Sequence, residues 1–416
     1  MRTRAPRIGF YGLLGSGNLG NDGSLDAMLG HLRERYPTAE FEALTDAPEA
    51  ARERWGIRAT PMHWNRQEYS TAASPVALAR KAFGKIVDAV RVPAWVRRQD
   101  AVVMAGMGAF EATLPLRPWG TPYTQFLVCA SGRLVGTRVA LVGVGADDVR
   151  SRALRALFVG AARSVTYLSY RDEYSRAAMR RMGLRERGDR VVPDLVHALP
   201  APPAVAGPTG VVGVGVLDFH GDNADRGRAE EVHARYVAAV QQLVDGILDS
   251  GHDVRLLVGD RADEAVVRLV RADVAAHRPA ELGRVHADPV TSLDGLMRQM
   301  VGLDAVVATR FHNVVCALRT ARPTVSLGYS AKNEVLMAEV GLGAYCHRAG
   351  RFDPREVLDQ LADLLATREA VSAEIAHRTA GYRRALDEQF ALLDAALFPG
   401  PSPAAPRPAA HHAPTG

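Results

Sequence analysis

Three basic side chains follow two predicted strands in the second half of the chain. The segment "TRFHN" (309–313) follows the apolar stretch "AVVAT", and its Arg310 and His312 alternate at the strand end, so both are predicted to reach one side of a cleft. After the next strand, "GYSAKN" places Lys332 at a corresponding edge. Arginine binds anions through a bidentate fork, and histidine exchanges a proton near neutral pH. One such residue is usually structural or solvated, but three at consecutive strand ends predict a functional anion site.

Two further charged positions follow strands in the first half of the chain. Arg171 ends a strand in "SYRDEYS" (169–175), and the neighbouring Asp172 suits the cap of the following helix. Asp194 follows a short strand in "VVPDL", where a linker turn is an equal explanation. Because ligands of open parallel sheets bind beyond the carboxyl ends of the strands, Arg171 is a further candidate for an anion site.

A glycine-rich loop follows the first strand, in "GLLGSGNLGNDGSL" (12–25), with five glycines within twelve residues. Glycine allows positive φ and a close approach to the backbone, and the following helix is expected to offer free N–H groups to an anion. The loop matches G-x-G-x-x-G, but no acidic residue clearly closes a second strand, which disfavours dinucleotide binding. Asn18, Asn21 and Asp22 place hydrogen-bonding side chains in the loop. A tight turn with an Asn or Asp cap is the alternative.

Metal and disulfide chemistry are not predicted. Asp218, His220 and Asp222 in "GVLDFHGDN" have the spacing of metal ligands, but alternating side chains along a loop rarely converge unaided. The three cysteines are widely spaced and form no CxxC pair, which indicates buried thiols in a reducing cytosol.

Strand and helix patterns alternate along both halves of the chain. This alternation predicts parallel sheets covered by helices, and a stretch rich in Pro, Ala and Gly interrupts it. The predicted fold is α/β, with two Rossmann-like domains facing across a cleft at the carboxyl ends of the strands. The predicted parts are an N-terminal domain at 1–195, a linker at 196–210, a C-terminal domain at 211–370, a C-terminal helix at 371–396 and a disordered tail at 397–416.

The composition limits the partners. Lys and Arg number 51 against 46 Asp and Glu, and no dense basic run carries interleaved aromatic residues, so nucleic-acid binding is not predicted. No apolar run reaches the ~18 residues of a membrane-spanning helix, and no signal-type region is present, so a cytoplasmic protein is predicted. The segment "ARKAFGKIVDAVRVPAWVRR" is better explained as an amphipathic surface helix; contact with an anionic membrane face is the alternative.

The order of the motifs resembles that of the polysaccharide pyruvyl transferase family. Members carry a "GNxGDE"-like loop, a glycine-rich strand end, an "RD" segment, "R-x-H" and "Y-x-x-K". The corresponding stretches are "GNLGND", "MAGMGAF", "YRDEYS", "TRFHN" and "YSAKN", and the resemblance covers roughly residues 8 to 345. Asn21 stands where an acidic residue is common, and Met107 interrupts a usual triple glycine. Both departures touch the acceptor-facing half, which points to an unusual acceptor.

The resemblance implies a fold like that of the two-domain GT-B glycosyltransferases. It also implies phosphoenolpyruvate as the donor and a product sugar that bears a pyruvate ketal, usually in a cell-surface polysaccharide such as an exopolysaccharide or cell-wall polymer. Arg171, His312 and Lys332 are implied to hold the donor, with Arg310 preceding His312 in the same motif. No metal or further cofactor is expected, because Arg and Lys neutralise the phosphate.

A mechanism follows from this resemblance. His312 is expected to protonate C3 of the donor, which opens C2 to a sugar hydroxyl, and Asp22 or Asp194 to accept the hydroxyl proton. The acceptor, a sugar or a lipid-linked saccharide, is expected at five residues of the glycine loop: Gly17, Asn18, Gly20, Asn21 and Asp22.

Two other functions are open from the sequence. A GT-B glycosyltransferase that uses a nucleotide sugar would need an acidic residue for the ribose hydroxyls, and "VGDRADE" and "SAKNEV" each offer a candidate. The other is a non-catalytic binding protein of the same fold, which the retained basic residues disfavour. The sequence leaves the oligomeric state open.

Overall fold

The structure, a computed structural model, describes residues 4–65, 74–111, 118–205, 207–221 and 225–399. Within these ranges the chain forms two parallel sheets with helices packed against them. The predicted α/β fold with two Rossmann-like domains is therefore confirmed. Asp222 and residues 400–416 of the predicted tail lie outside the described residues.

The first sheet is formed by the N-terminal half of the chain. Its elements are β1 Arg7–Gly12, α1 Leu19–Arg35, β2 Glu40–Thr45, α2 Pro48–Trp55, β3 Arg58–Pro61, α3 Pro75–Val96, β4 Ala101–Ala105, α4 Thr121–Val135, β5 Arg138–Val144, α5 Arg152–Ser164, β6 Tyr167–Tyr170, α6 Glu173–Arg181 and β7 Arg190–Val191. The strand order is β3-β2-β1-β4-β5-β6-β7. The central strands β1, β4 and β5 are almost wholly buried, as expected of a parallel sheet covered on both faces.

The second sheet follows an extended connection. Its elements are β8 Val211–Gly215, α7 Ala229–Asp249, β9 Asp253–Leu257, α8 Glu264–His277, β10 Val285–His286, α9 Leu293–Met300, β11 Ala305–Ala308, α10 Phe311–Arg319, β12 Thr324–Gly328, α11 Ala331–Glu339, β13 Cys346–Arg348, α12 Pro354–Ala366, α13 Arg368–Thr379 and α14 Tyr382–Leu397. The strand order is β10-β9-β8-β11-β12-β13. In both sheets the order reverses beside the first strand, where open α/β sheets bind ligands.

The C-terminal end of the chain returns to the first domain. The single helix expected over 371–396 differs from the structure, because the chain breaks at Ala380 and Gly381, a weak helix former, caps the new helix α14. The Ser169 hydroxyl on β6 donates to Gln389 Oε1 at 2.6 Å, and both groups are buried. Phe390 stacks on His31 of α1 at 4.3 Å between ring centroids. These contacts fasten the chain end to the first sheet.

No helix among the described residues is both long and apolar enough to cross a bilayer.

Candidate active site

Two of the predicted donor cations meet at the interface of the two domains. Arg171 follows β6 in the first domain, and Lys332 lies in the first turn of α11 in the second. Both side chains are buried, with 6 % and 4 % exposed. Arg171 Nη2 lies 2.9 Å from Glu111 Oε1, and Lys332 Nζ makes a close ion pair with the same oxygen. The structure therefore brings these two cations together from opposite sides of the cleft.

Glu111 is a site residue that sequence reasoning missed. It lies in the loop after β4, at the end of "MAGMGAFE". Burial alone would raise the pKa of Glu111, but the charges of Lys332 and Arg171 outweigh burial and lower it. A Cβ on Gly145 would stand 2.2 Å from Glu111 Oε1, so this close packing requires glycine. The signal that could have found Glu111 is the one that selected Arg171, a charged residue shortly after a buried strand.

Arg171 is surrounded by carboxylates and one aromatic ring. Its Nε lies 3.6 Å from Asp172 Oδ2, its Nη1 lies 3.9 Å from Asp194 Oδ2, and its guanidinium sits over the Phe311 ring at 4.4 Å. Burial alone would lower the pKa of Arg171, yet Glu111 and the two aspartates raise it. Asp172 also caps α6, since its Oδ1 accepts from the Ser175 N–H at 2.6 Å. The guanidinium is thus charged and fixed in orientation.

His312 of the second domain faces Asp194 of the first. The distance from His312 Nε2 to Asp194 Oδ2 is 3.6 Å, and Asp194 Oδ1 accepts from the Val196 N–H at 3.0 Å. Burial alone would raise the pKa of Asp194, but His312 above all, then Arg171 and the Val196 N–H, lower it to about 2. The other ring nitrogen, Nδ1, lies against Gly20, where a Cβ would stand only 2.0 Å away. The imidazole is held between a carboxylate and the glycine loop.

The expected alternation of Arg310 and His312 along a strand end is wrong. β11 ends at Ala308, Arg310 is the cap of α10, and His312 is already helical, so the two side chains diverge. Arg310 makes a bidentate ion pair with the buried Asp263, at 2.6 Å and 2.7 Å. Burial alone would lower the pKa of Arg310, and Asp263 raises it. This arginine contacts neither Glu111 nor His312 directly among the ion pairs of the described residues, so its donor role stays a prediction.

The glycine loop is a capped turn that docks on the second domain. Asn18 Oδ1 accepts from the N–H groups of Gly20 and Asn21 at 3.1 Å and 3.2 Å, so the expectation of free N–H groups at this helix start is wrong. Asn18 Nδ2 donates to Asp260 of the second domain at 3.1 Å. Gly17 has a left-handed φ of 99° and packs on Arg261. The close approach that the glycines permit is therefore made by the other domain.

Asp22 lies on the far side of α1 from His312. It comes two positions after Gly20, which on a helix is a rotation of about 200°. Its Oδ1 accepts from the Gly15 N–H at 2.8 Å, and its Oδ2 lies 3.6 Å from Arg54 Nη1. Burial raises the pKa of Asp22 to about 6, against the Gly15 hydrogen bond and the Arg54 charge. The structure does not bring Asp22 to the imidazole, and its role as the base stays a prediction.

Tyr329 is a second residue that sequence reasoning missed. It directly follows β12, three residues before Lys332, and 39 % of its surface is exposed. It lies within electrostatic range of Arg310, Glu111 and Arg171. Its exposed ring marks the solvent side of the buried charge cluster.

A separate cluster in the second domain could hold a metal ion. His220 Nε2 and His233 Nδ1 lie 3.1 Å and 3.5 Å from Asp218 Oδ1, and the three candidate ligand atoms are within 4.8 Å of one another. His233 comes from α7 and was not predicted, since its partners are far away in sequence. The Asp218 N–H donates to Asp263 at 3.0 Å, so the cluster adjoins the Arg310 ion pair. The expectation that catalysis requires no metal stays a prediction.

Comparison with known proteins decides the family. The family model described as polysaccharide pyruvyl transferase matches residues 18–331, most of the chain. The chain belongs to the polysaccharide pyruvyl transferase family. The matched range of this family member includes Glu111, Arg171, Asp194 and His312. A comparison with curated proteins found no significant match.

Solved structures confirm the predicted GT-B-like fold of this pyruvyl transferase family member. A putative UDP-N-acetylglucosamine 2-epimerase from Listeria monocytogenes is 11 % identical, with a TM-score of 0.59 over 96 % of this chain and 99 % of that one. The UDP-GlcNAc 2-epimerase of Methanocaldococcus jannaschii is 12 % identical, with a TM-score of 0.55 over 86 % and 92 %. MurG from Acinetobacter baumannii is 13 % identical, with a TM-score of 0.52 over 94 % and 99 %. At these identities the likeness concerns the fold alone.

Proposed function

We propose that this protein transfers the pyruvyl group of phosphoenolpyruvate to two hydroxyls of a sugar or polysaccharide precursor and forms a pyruvate ketal. One observation carries the proposal: Arg171, which follows β6, Lys332 of α11 and His312 of α10 converge at one domain interface. The family match supports the transferase class. The donor and the ketal chemistry are what the family resemblance implies, and the charges and the imidazole of the site are compatible with them.

The donor carries a carboxylate and a phosphate on one small enol, and it needs several cations in a small volume. Arg171 and Lys332 supply two, and both now share the Glu111 carboxylate. An anionic donor would compete with Glu111 for these cations, and charge-assisted hydrogen bonds would fix its orientation. Arg310 is proposed as a third cation, which would bind the donor while keeping Asp263 as its partner.

His312 is proposed as the general acid. It gives a proton to C3 of the enol, C2 gains oxocarbenium character, and one sugar hydroxyl forms a C–O bond to C2. The bond from C2 to the phosphate oxygen breaks, and a second hydroxyl closes the ketal. Of the two hydroxyl protons, one replaces the proton that His312 gave to C3 and the other leaves with the phosphate. Asp194 keeps the imidazole in place through its ion-pair contact with Nε2.

Asp22 is the proposed base, with Asp194 as the alternative. A pKa of about 6 leaves Asp22 ionised at neutral pH and basic enough to take a proton. Asp22 lies in the first turn of α1 on the side away from His312, so this role requires the acceptor to span the start of that helix, which borders His312 through Gly20. The acceptor side is therefore proposed at Gly17, Asn18, Gly20, Asn21 and Asp22. A cytoplasmic reaction on a lipid-linked saccharide at the inner membrane face completes the proposal.

The rival function is transfer from a nucleotide sugar. One similar structure is an Anabaena protein, Alr3699/HepE, in complex with UDP, at 12 % identity and a TM-score of 0.54 over 93 % of this chain and all of that one. Two of the acidic residues that could bind a ribose already have partners in this structure. Glu334 pairs with Arg348 at 2.6 Å, and Asp260 accepts from Asn18. These engagements favour the phosphoenolpyruvate proposal.

The test is an incubation of the purified protein with phosphoenolpyruvate, with and without candidate saccharide acceptors. Phosphate release that depends on the acceptor, with the pyruvate adduct found by mass spectrometry, is the expected result. Parallel incubations with UDP-sugars should give no product.

His312→Ala should lower turnover by ~100-fold or more, while His277→Ala, an exposed histidine on α8, should not. Near-wild-type turnover of His312→Ala, or product only from a UDP-sugar, would contradict the proposal. Donor binding without turnover on any acceptor would favour a non-catalytic binding protein.

A further inference from the structure

The helix α3 turns apolar side chains toward solvent. Val76, Phe83, Ile86 and Val90 recur at helical spacing on one face, and each is between 55 % and 78 % exposed. The opposite face carries Asp88, which is buried and accepts from the Trp64 N–H and from Arg91. A surface helix of a water-soluble domain normally has the reverse orientation. This polarity indicates that something apolar covers the exposed face.

Two exposed tryptophans extend this face. Trp64, 43 % exposed, packs edge-on against Phe83 with ring centroids 5.4 Å apart. Trp119, 62 % exposed, packs on Tyr123, whose hydroxyl donates to the Lys85 carbonyl of α3. We call the combined area the α3 surface, formed by Val76, Phe83, Ile86, Val90, Trp64 and Trp119. Contiguous exposed apolar areas of this kind mark interaction sites.

Among the residues that the structure describes on α3 and just beyond it, the exposed charges are basic. Arg80 on α3 and Arg97 and Arg98 just beyond it are exposed, whereas the one acidic residue of α3, Asp88, is buried. An apolar stripe bordered by cations, with tryptophans beside it, fits the boundary between lipid headgroups and acyl chains. A surface that binds a second protein chain would be expected to carry carboxylates as well as cations. The charge pattern therefore favours an anionic bilayer.

The α3 surface lies on the acceptor side of the cleft. Trp64 is in the loop between β3 and α3, and Trp119 is in the loop between β4 and α4. Loops that follow the strands of a parallel sheet lie at its carboxyl edge, which is also the edge of the glycine loop and of Glu111. A bilayer on this surface would sit beside the proposed acceptor loop.

We propose that the α3 surface is a docking site for an anionic membrane, which it binds through inserted apolar side chains and surrounding arginines. One part of this inference rests on the proposed function, namely that docking brings a lipid-linked acceptor to the cleft. The binding itself depends on the exposed residues of the first domain alone.

The test is co-sedimentation of the full chain with vesicles of phosphatidylcholine containing 30 % phosphatidylglycerol, and with vesicles of phosphatidylcholine alone. Binding is expected to the anionic vesicles, to weaken in 0.5 M salt, and to shift tryptophan emission to the blue as Trp64 and Trp119 enter the interface. The double variant Arg80→Gln with Ile86→Ser should weaken binding at least ~10-fold. Its matched control, Arg268→Gln with Leu269→Ser, removes an exposed arginine and an exposed leucine from α8 of the second domain and should bind as the wild type.

Each other outcome overturns the proposal. These outcomes are no binding to anionic vesicles, equal loss in both double variants, or a dimer in solution that Arg80→Gln with Ile86→Ser dissociates. The last result would assign the surface to a second copy of the chain. Transfer to a soluble acceptor is measured in parallel. Transfer without vesicle binding refutes the docking site alone, and vesicle binding without transfer refutes the proposed function alone.

Discussion

Replacing Gly20 by alanine tests whether the imidazole position controls the chemistry. A Cβ at Gly20 would stand 2.0 Å from Nδ1, 2.3 Å from Cε1 and 2.5 Å from Cγ of His312. The closest ordinary contact is 3.4 Å, so the ring must move by about 1.4 Å or α1 must withdraw. The ring is the end of a side chain that can rotate, so we expect it to move and the fold to survive.

The expected magnitudes separate activity from stability. Misplacing a catalytic group by ~1 Å can cost ~100-fold in rate. Insertion of one methyl group into a packed site lowers the free energy of unfolding by about 1–3 kcal/mol. Gly20→Ala should therefore lose ~100-fold in kcat for pyruvyl transfer and only a few degrees in Tm. Both are measured on the same preparation, by phosphate release with a saccharide acceptor and by thermal unfolding.

Two glycines on the same helix provide controls. Gly30→Ala meets no atom within 4 Å and should keep wild-type turnover. Gly23→Ala would bring a Cβ to 2.2 Å from Leu293 Cδ1, so it should lower Tm while it leaves His312 in place. If Gly20→Ala and Gly23→Ala lose stability equally and both keep turnover within threefold of wild type, the imidazole does not act as argued.

Three further perturbations follow from the charges. Burial holds the pKa of Asp22 at about 6 instead of 3.8, so the folded state loses stability as pH rises from about 3.8 to about 6, and the loss is complete above that range. Asp22→Asn should therefore raise the free energy of unfolding by about 3 kcal/mol at pH 7.5, with a smaller gain at pH 4.5, in urea titrations. Glu111→Gln leaves Arg171 and Lys332 without their shared carboxylate and should lower Tm. Phosphoenolpyruvate should then raise Tm more in this variant than in wild type. The control Glu334→Gln loses only an exposed ion pair and should show no such difference. Dialysis against a chelator should leave transfer unchanged; loss that Zn²⁺ restores would instead assign a role to the Asp218 cluster.

The charged residues at the strand ends were predictable, because a charged residue that follows a short apolar run is recognised from its sequence neighbours alone. Arg171 and Lys332 each follow a short apolar run, and neither prediction needs knowledge of the other domain. Their meeting point was not predictable, because Glu111 gains its role only when both domains are assembled. The same limit applies to His233, which reaches Asp218 from a helix whose own pattern signals only a core-facing stripe.

The ends of strands and helices, and the choice of which face of α3 is buried, were the weakest predictions. Extending the strand past its end at Ala308 turned Arg310 and His312 into strand neighbours, whereas helical geometry sends one to Asp263 and the other to Asp194. For α3 the apolar period predicted an amphipathic helix, but the period does not say which face meets the protein. Asp88 decides this point, because its buried contacts with Arg91 and the Trp64 backbone fix the polar side inward.

The two domains contribute complementary charges to the site, and this has a consequence for catalysis. The first domain supplies Glu111, Asp194 and Arg171, and the second supplies His312 and Lys332, so the ion pairs that cross the interface also hold the cleft together. A donor that displaces Glu111 from Lys332 removes one of these cross-domain contacts and replaces it with its own anionic groups, which must then bridge the same cations. Donor binding and cleft closure are therefore expected to be coupled. Without a donor, Glu111 is the ion-pair partner of the cations in the cleft, and a bound donor takes its place.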